Sequence, residues 1–248
     1  MRSSEESTPP VAQKGMMEDV IDIFASPRAL FDRTRNSSAV RPAVIQMLVL
    51  GILGIALHNL MAPYFDAEFA RATAQQAEAA AKAGTEMPAG AAAMGEKIAT
   101  FTAYAGGFIG PWFVALLGGL AVFIGARIVG VKLRFGQGMM IASWSYMPAI
   151  IGTLATAVQG ALLSDPMTVR GVTDASLGPA RFLDPATASP VLLAVAQSVD
   201  LIAIWTLVLS AIGVSVVGRV SLATGAIATV ARFALVLLLT VVPALLRG

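Results

Sequence analysis

The stretch Pro190-Val-Leu-Leu-Ala-Val-Ala-Gln-Ser-Val-Asp200-Leu-Ile-Ala-Ile-Trp-Thr-Leu-Val-Leu-Ser210-Ala-Ile-Gly-Val-Ser-Val-Val217 holds one formal charge, Asp200, in 28 residues. A short link, Gly218 to Thr224, leads to a second apolar block, Gly225 to Leu246, whose one charge is Arg232. About 20 consecutive apolar residues are enough to cross a bilayer as a helix. Inside lipid the backbone finds no water, so a spanning segment must satisfy its own N–H and C=O groups, and a helix does this within one segment. The two blocks therefore read as antiparallel transmembrane helices, and the fold class as all-α.

The same signal recurs towards the N-terminus. Three further blocks fall at about residues 43–64, 107–129 and 139–163, which with 190–217 and 225–246 predicts five spans. Ile98 to Ala105 reads as a lead-in to the second, able to extend its helix, and Gly110-Pro111 predicts a kink there because proline removes a backbone hydrogen bond. The chain is 56% hydrophobic and 13% charged, with a mean hydropathy of +0.76. That polarity could not cover a soluble domain of this size, whose charged fraction is about a quarter. Cysteine is absent, which removes disulfides, thiolate metal sites and a cysteine nucleophile. The net charge of +2 is too small to argue for nucleic acid.

Residues 1–15, rich in Ser, Glu and Pro, read as a disordered tail with no apolar signal-peptide region, so the first span is expected to serve as a signal anchor. Residues 16–41 form an amphipathic lead. Val20, Ile23, Phe24, Leu30 and Phe31 recur at helical spacing, and Ser26-Pro27 offers an N-cap and a first helical position. The lead is expected on the membrane face, with Arg28, Arg33 and Arg35 near lipid headgroups. Residues 42–248 form the five-helix domain. Between the first two spans, Asp66 to about Ala83 reads as a water-exposed helix broken by Gly84, Pro88 and Gly90. Arg41, Arg127, Lys132, Arg134 and Arg219 sit at the ends of short links on the side of the N-terminus. The positive-inside rule then places the N-terminus in the cytoplasm and the C-terminus outside.

Asp200 and Arg232 are the candidate functional residues, because a lone charge at the bilayer centre costs about 2.5–3.5 kcal/mol to insert and needs a partner. Counted along continuous helices, Asp200 falls about 15 Å below the outer end of the fourth span and Arg232 about 12 Å above the inner end of the fifth. The spacing predicts that they pair, or share a polar pocket with Gln159, Trp144, Ser198 or Thr206. His58, the single histidine, reads as a polar packing residue near the outer interface. Gly106-x-x-x-Gly110 allows close helix packing, within one chain or in a homo-oligomer. No metal-ligand spacing, nucleophile elbow or phosphate loop is present, so neither catalysis nor a cofactor is expected.

Ile23-Phe-Ala-Ser-Pro-Arg-Ala-Leu-Phe31, Lys132-Leu-Arg-Phe-Gly-Gln137 running into Met140-Ile-Ala-Ser-Trp-Ser-Tyr-Met-Pro148, and Ser198-Val-Asp-Leu-Ile-Ala-Ile-Trp205 occur in the order of a Yip-domain protein. The chain resembles the bacterial form of that family, named for Ypt/Rab-interacting proteins, from about Asp19 to its end. The resemblance implies a five-helix membrane bundle, in a bacterial inner membrane, and supplies no catalytic residues. Eukaryotic relatives are linked to small GTPases, but the N-terminus here carries no recognisable GTPase-binding motif. The reading is a non-enzymatic membrane scaffold or adaptor whose partners are membrane lipids and an unidentified protein. Its alternative is a small transporter or channel using a midplane Asp200/Arg232 site.

Overall fold

The computed structural model describes residues 15–82, 84–85, 90–162, 177–184 and 187–245. Among them all regular structure is helical. In chain order the helices are α1 (Met16–Ala25), α2 (Pro27–Thr34), α3 (Val40–Leu60), α4 (Ala62–Lys82), α5 (Ala91–Phe113), α6 (Gly119–Ile128), α7 (Phe135–Ser145), α8 (Pro148–Leu162), α9 (Pro190–Ser198), α10 (Leu201–Gly218) and α11 (Leu222–Leu245). A π-helical stretch, Val114–Gly118, joins α5 to α6, and a 3₁₀ turn, Pro179–Phe182, precedes α9. The tail at 1–14 and most of the loop before α9 lie outside the described residues.

Four helical segments are long and apolar enough to cross a membrane: Val40–Leu60, Tyr104–Ile128, Phe135–Gln159 and Leu201–Gly218. A shorter apolar stretch, Leu222–Leu238, lies within α11. Their surfaces show the inverted polarity of an integral membrane protein. Ile52, Phe113, Leu117, Ile227 and Val230 are exposed, whereas Gln46, Ser143, Ser145, Ser210 and Thr229 are buried. Lipid accepts the first group, and in the second Gln46, Ser210 and Thr229 hydrogen-bond inside the bundle.

Several expected features take a definite form. α5 begins at Ala91, so the lead-in is helical and continuous with the second span. Pro111 sits inside α5, and the disturbance it introduces is followed within one turn by the π-helical stretch. α4 covers the predicted water-exposed helix, and Gly84 and Gly90 beyond it have φ of +69° and +83°, which a side chain would strain. Pro88 is not among the described residues. The expected fourth span, Pro190–Val217, is not one helix: it divides into α9 and α10 at Val199–Asp200.

Glycines set the closest helix crossings. A Cβ at Gly107 would come within 2.5 Å of the Leu50 carbonyl oxygen, and one at Gly51 would strike the Phe108 ring. α3 and α5 therefore cross nearly backbone to backbone, antiparallel, with the Tyr104 hydroxyl bonded to Asn59 Oδ1 at 3.2 Å. Gly119 lies against Met139, and Gly138 against the Gly119 carbonyl, which brings α6 onto α7. Gly106 and Gly110, the formal G-x-x-x-G pair, meet nothing within 4 Å.

The lead docks on this bundle. Ile23, Leu30 and Phe31 are fully buried, and Phe31 lies against Gly213. Pro27 opens α2, although the Ser26 side chain makes no capping bond. The Asp19 carboxylate, only 2% exposed, is held by Arg33 Nη2 at 2.5 Å and by Arg41 Nη1 at 2.8 Å. Arg33 also reaches Asp22 at 2.9 Å. Burial works against the Arg33 charge, but its bonds to Asp19 and Asp22 and their negative charges outweigh it and raise its pKa. Arg35 is held by Asp32, and Arg28 stays exposed. On the other side of α1, Met17, Ile21 and Phe24 remain exposed. Asp19 thus ties both helices of the lead to the start of α3. Asp19→Ala would leave two arginines without their shared acid and cost about 2 kcal/mol. The expected result is a lower melting temperature in detergent and faster hydrogen exchange across residues 16–34. Unchanged exchange there would show that the apolar contacts alone hold the lead.

Candidate functional site

Arg232 occupies its position because α11 is squeezed between two neighbours. A Cβ at Gly125 of α6 would lie 2.4 Å from the Ala228 carbonyl oxygen and 3.0 Å from the Arg232 nitrogen. A Cβ at Gly225 would lie 2.4 Å from the Ala211 carbonyl oxygen of α10. These two approaches fix the rotation of α11. Arg232 Nη1 then donates to the Ser210 hydroxyl at 2.8 Å, while its Nε is buried and has no partner among the described residues.

Asp200 is placed by a different device. Its backbone is extended, with φ −138° and ψ 175°, and its Oδ1 accepts the Ala203 N–H at 2.5 Å. It is the N-cap of α10. An aspartate followed by a long apolar run is a strong helix start, because the carboxylate satisfies an orphan N–H and faces the positive end of the helix. The break is covered by the preceding loop, since a Cβ on Gly178 would meet the Val199 carbonyl oxygen at 2.4 Å and Asp200 Cβ at 2.9 Å.

The expected ion pair is not made: no salt bridge joins Asp200 and Arg232 among the described residues. Depth along the two helices runs from the short link that they share, between Gly218 and Leu222. From that link Asp200 lies about 27 Å up α10, and Arg232 about 15 Å up α11. The difference exceeds the reach of an arginine. α10 alone is close to the thickness of the hydrocarbon layer, about 30 Å, so Asp200 belongs near the far end of a span and only Arg232 near its middle.

The two residues nevertheless line one cavity of about 1040 Å³. Its walls come from the π-helical stretch and α6, α8, α10 and α11, with Leu57 of α3, Phe113 of α5, Ser198 of α9, Tyr146 and Leu177 completing it. Drug-sized ligand pockets run to about 300–1,000 Å³, so this one lies at the large end. Most of the lining is apolar, including Phe113, Leu117, Leu120, Phe233 and Leu237. The polar exceptions are Tyr146, Thr153, Thr156, Ser198, Asp200, Thr206 and Arg232. Phe113, Leu117 and Leu238 are each more than half exposed, so the cavity opens sideways on the apolar flank of the bundle.

Of the predicted supporting residues, Ser198 and Thr206 therefore stand at the site, with the Ser198 hydroxyl bonded to the Ala194 carbonyl at 2.7 Å. Trp144 does not; it is buried in the core of α7. Gln159, near the end of α8, is not part of the lining either. His58 is stacked on Phe65 and lies edge-on to Tyr104, away from the cavity lining. Ser210 and Gln46 are among the interior polar residues that the sequence did not single out. Ser210 is found by counting equal distances from the link that α10 and α11 share. Gln46, whose Nε2 donates to the Ser143 carbonyl at 2.5 Å, had no such signal. Among the described residues no group of three His, Asp or Glu side chains could hold a metal.

A cap and an ion pair respond differently to substitution. Asp200→Ala is expected to cost about 1 kcal/mol, whereas Asp200→Asn, which can still cap, should be nearly neutral. The double exchange Asp200→Arg/Arg232→Asp should melt well below either single variant. Recovery of wild-type melting by the exchange would instead establish direct contact.

The Yip1 domain matches residues 21–243. No curated protein and no solved structure matches the chain. The match begins within α1 and ends within α11, so it takes in the lead from Ile21 onward, every candidate span and the whole cavity lining. The chain is an integral membrane protein of the Yip1 domain family.

Proposed function

We propose that this protein is a non-enzymatic, five-span membrane protein that binds a small amphiphile in its intramembrane cavity and acts as its carrier. One observation carries the reading: a guanidinium without a carboxylate partner among the described residues lines a large, laterally open, apolar chamber. A bundle that served only to hold other proteins would gain nothing from such a cost. The charge-pair channel is less well supported, because Asp200 and Arg232 stand at different depths and the lining between them is mostly apolar.

The fifth span in this reading is α11, whose 24 residues extend about 36 Å. The N-terminus is cytoplasmic, the C-terminus is outside, and the membrane in this reading is a bacterial inner membrane, in keeping with the resemblance to bacterial members. The lead lies at the inner interface with Met17 and Ile21 towards lipid. The absence of native cysteine makes single-cysteine mapping direct. Thr85→Cys, Ser189→Cys and Arg247→Cys should react with an impermeant maleimide in intact cells, and Ser37→Cys, Lys132→Cys and Ser221→Cys only after permeabilisation. Protection of Arg247→Cys until permeabilisation would remove the fifth span.

A second reading, a membrane scaffold or adaptor, is favoured by the exposed stripe on α1 and by the open Gly106/Gly110 face, which suits a second copy of the chain. Filling the cavity separates the two. Native mass spectrometry of the wild-type protein should show one retained amphiphile, and Ala149→Trp, which projects into the cavity, should abolish it without lowering the melting temperature. If the wild-type protein retains no amphiphile, the carrier reading fails and the scaffold takes its place.

A further inference from the structure

We infer that the cavity ligand is an anionic amphiphile with a hydrocarbon tail, held by its headgroup at Arg232. The inference rests on the proposed ligand cavity and adds the chemical class of its occupant.

Arg232 has one bond to a neutral hydroxyl, that of Ser210, and an unpartnered buried Nε. Among the described residues no carboxylate lies within salt-bridge distance of it. The one acid in the lining, Asp200, is already engaged by the Ala203 N–H and by the N-terminal end of α10, and stands about 12 Å further out. The charge that remains uncompensated in the chamber is therefore positive. In a low-dielectric site such a charge favours a counter-ion over a neutral group. A guanidinium presents a planar fork that matches the paired oxygens of a carboxylate or a phosphate monoester.

The rest of the lining specifies the tail. Phe113, Leu117, Phe233 and Leu237 offer no hydrogen bonds and suit hydrocarbon. The sideways opening gives a lipid-soluble molecule entry from the bilayer without crossing water. A cavity of about 1040 Å³ has room for a hydrocarbon tail and its headgroup together.

The test uses the full-length protein in detergent and equilibrium binding of radiolabelled oleate and oleyl alcohol, which share a chain and differ in charge. Oleate should bind saturably at one site, at least about tenfold more tightly than oleyl alcohol, the size of one charge-assisted contact. Arg232→Gln should erase that preference and Arg232→Lys should keep most of it. Equal binding of oleate and oleyl alcohol to the wild-type protein would overturn the inference, and that comparison needs no variant to fold. So would a preference that survives Arg232→Gln. If oleyl alcohol binds and Ala149→Trp blocks it, but charge makes no difference, the cavity reading stands and the anionic ligand falls. If neither molecule binds, both fall.

Discussion

The crossing of α11 between α6 and α10 is the constraint on which the site depends. Gly125 and Gly225 remove the side chains that would hold these helices apart. Each crossing places a carbonyl oxygen where a Cβ would otherwise lie, so a substitution there must move a backbone rather than a flexible side chain. Close approach of small residues drives helix association in lipid, where the hydrophobic effect cannot. The same approach aims Arg232 at Ser210 and leaves the chamber on the Asp200 side of that contact. A wider crossing would let the guanidinium escape towards an interface, as long basic side chains do when they are free.

The break at Asp200 belongs to the same economy of polar groups. An aspartate inside a continuous helix would face either lipid or apolar side chains. Ending one helix and starting another lets the carboxylate accept an N–H that the new helix would otherwise leave unsatisfied. The cost moves to Val199 and to the backbone of the break, which Gly178 covers. The π-helical stretch at Val114–Gly118 is a comparable irregularity on the opposite wall, and both lie in the cavity lining. Departures from regular helix within a membrane are tolerated where protein or a cavity surrounds them.

Much of the architecture is legible in single residues. Apolar blocks locate the candidate spans because bilayer thickness demands length more than pattern, and Gly84 and Gly90 mark the end of α4 through their backbone freedom. The Ser-Val-Asp200-Leu sequence contained the start of α10, but the apolar residues on both sides of Asp200 hid it within a longer block. Once the helix was read as continuous, the depth of Asp200 followed wrongly, and with it the ion pair. The cavity had no signature along the chain. It arises where the walls of several helices fail to meet, and its lining runs from Leu57 to Leu238. Only the isolated charge of Arg232 hinted at it.

The loss of the ion pair strengthens the case for a ligand. Had Asp200 neutralised Arg232, the two charges would have formed a structural lock, and the chamber would have been a packing defect beside it. With Asp200 committed to α10, the bundle retains a cation whose desolvation is only partly offset by one hydroxyl. Membrane proteins keep such groups where they meet a substrate, an ion or a lipid, because insertion of the charge is otherwise a net loss. The cavity supplies the space, the exposed flank supplies the route, and Arg232 supplies the selectivity. A purely architectural bundle requires none of the three together.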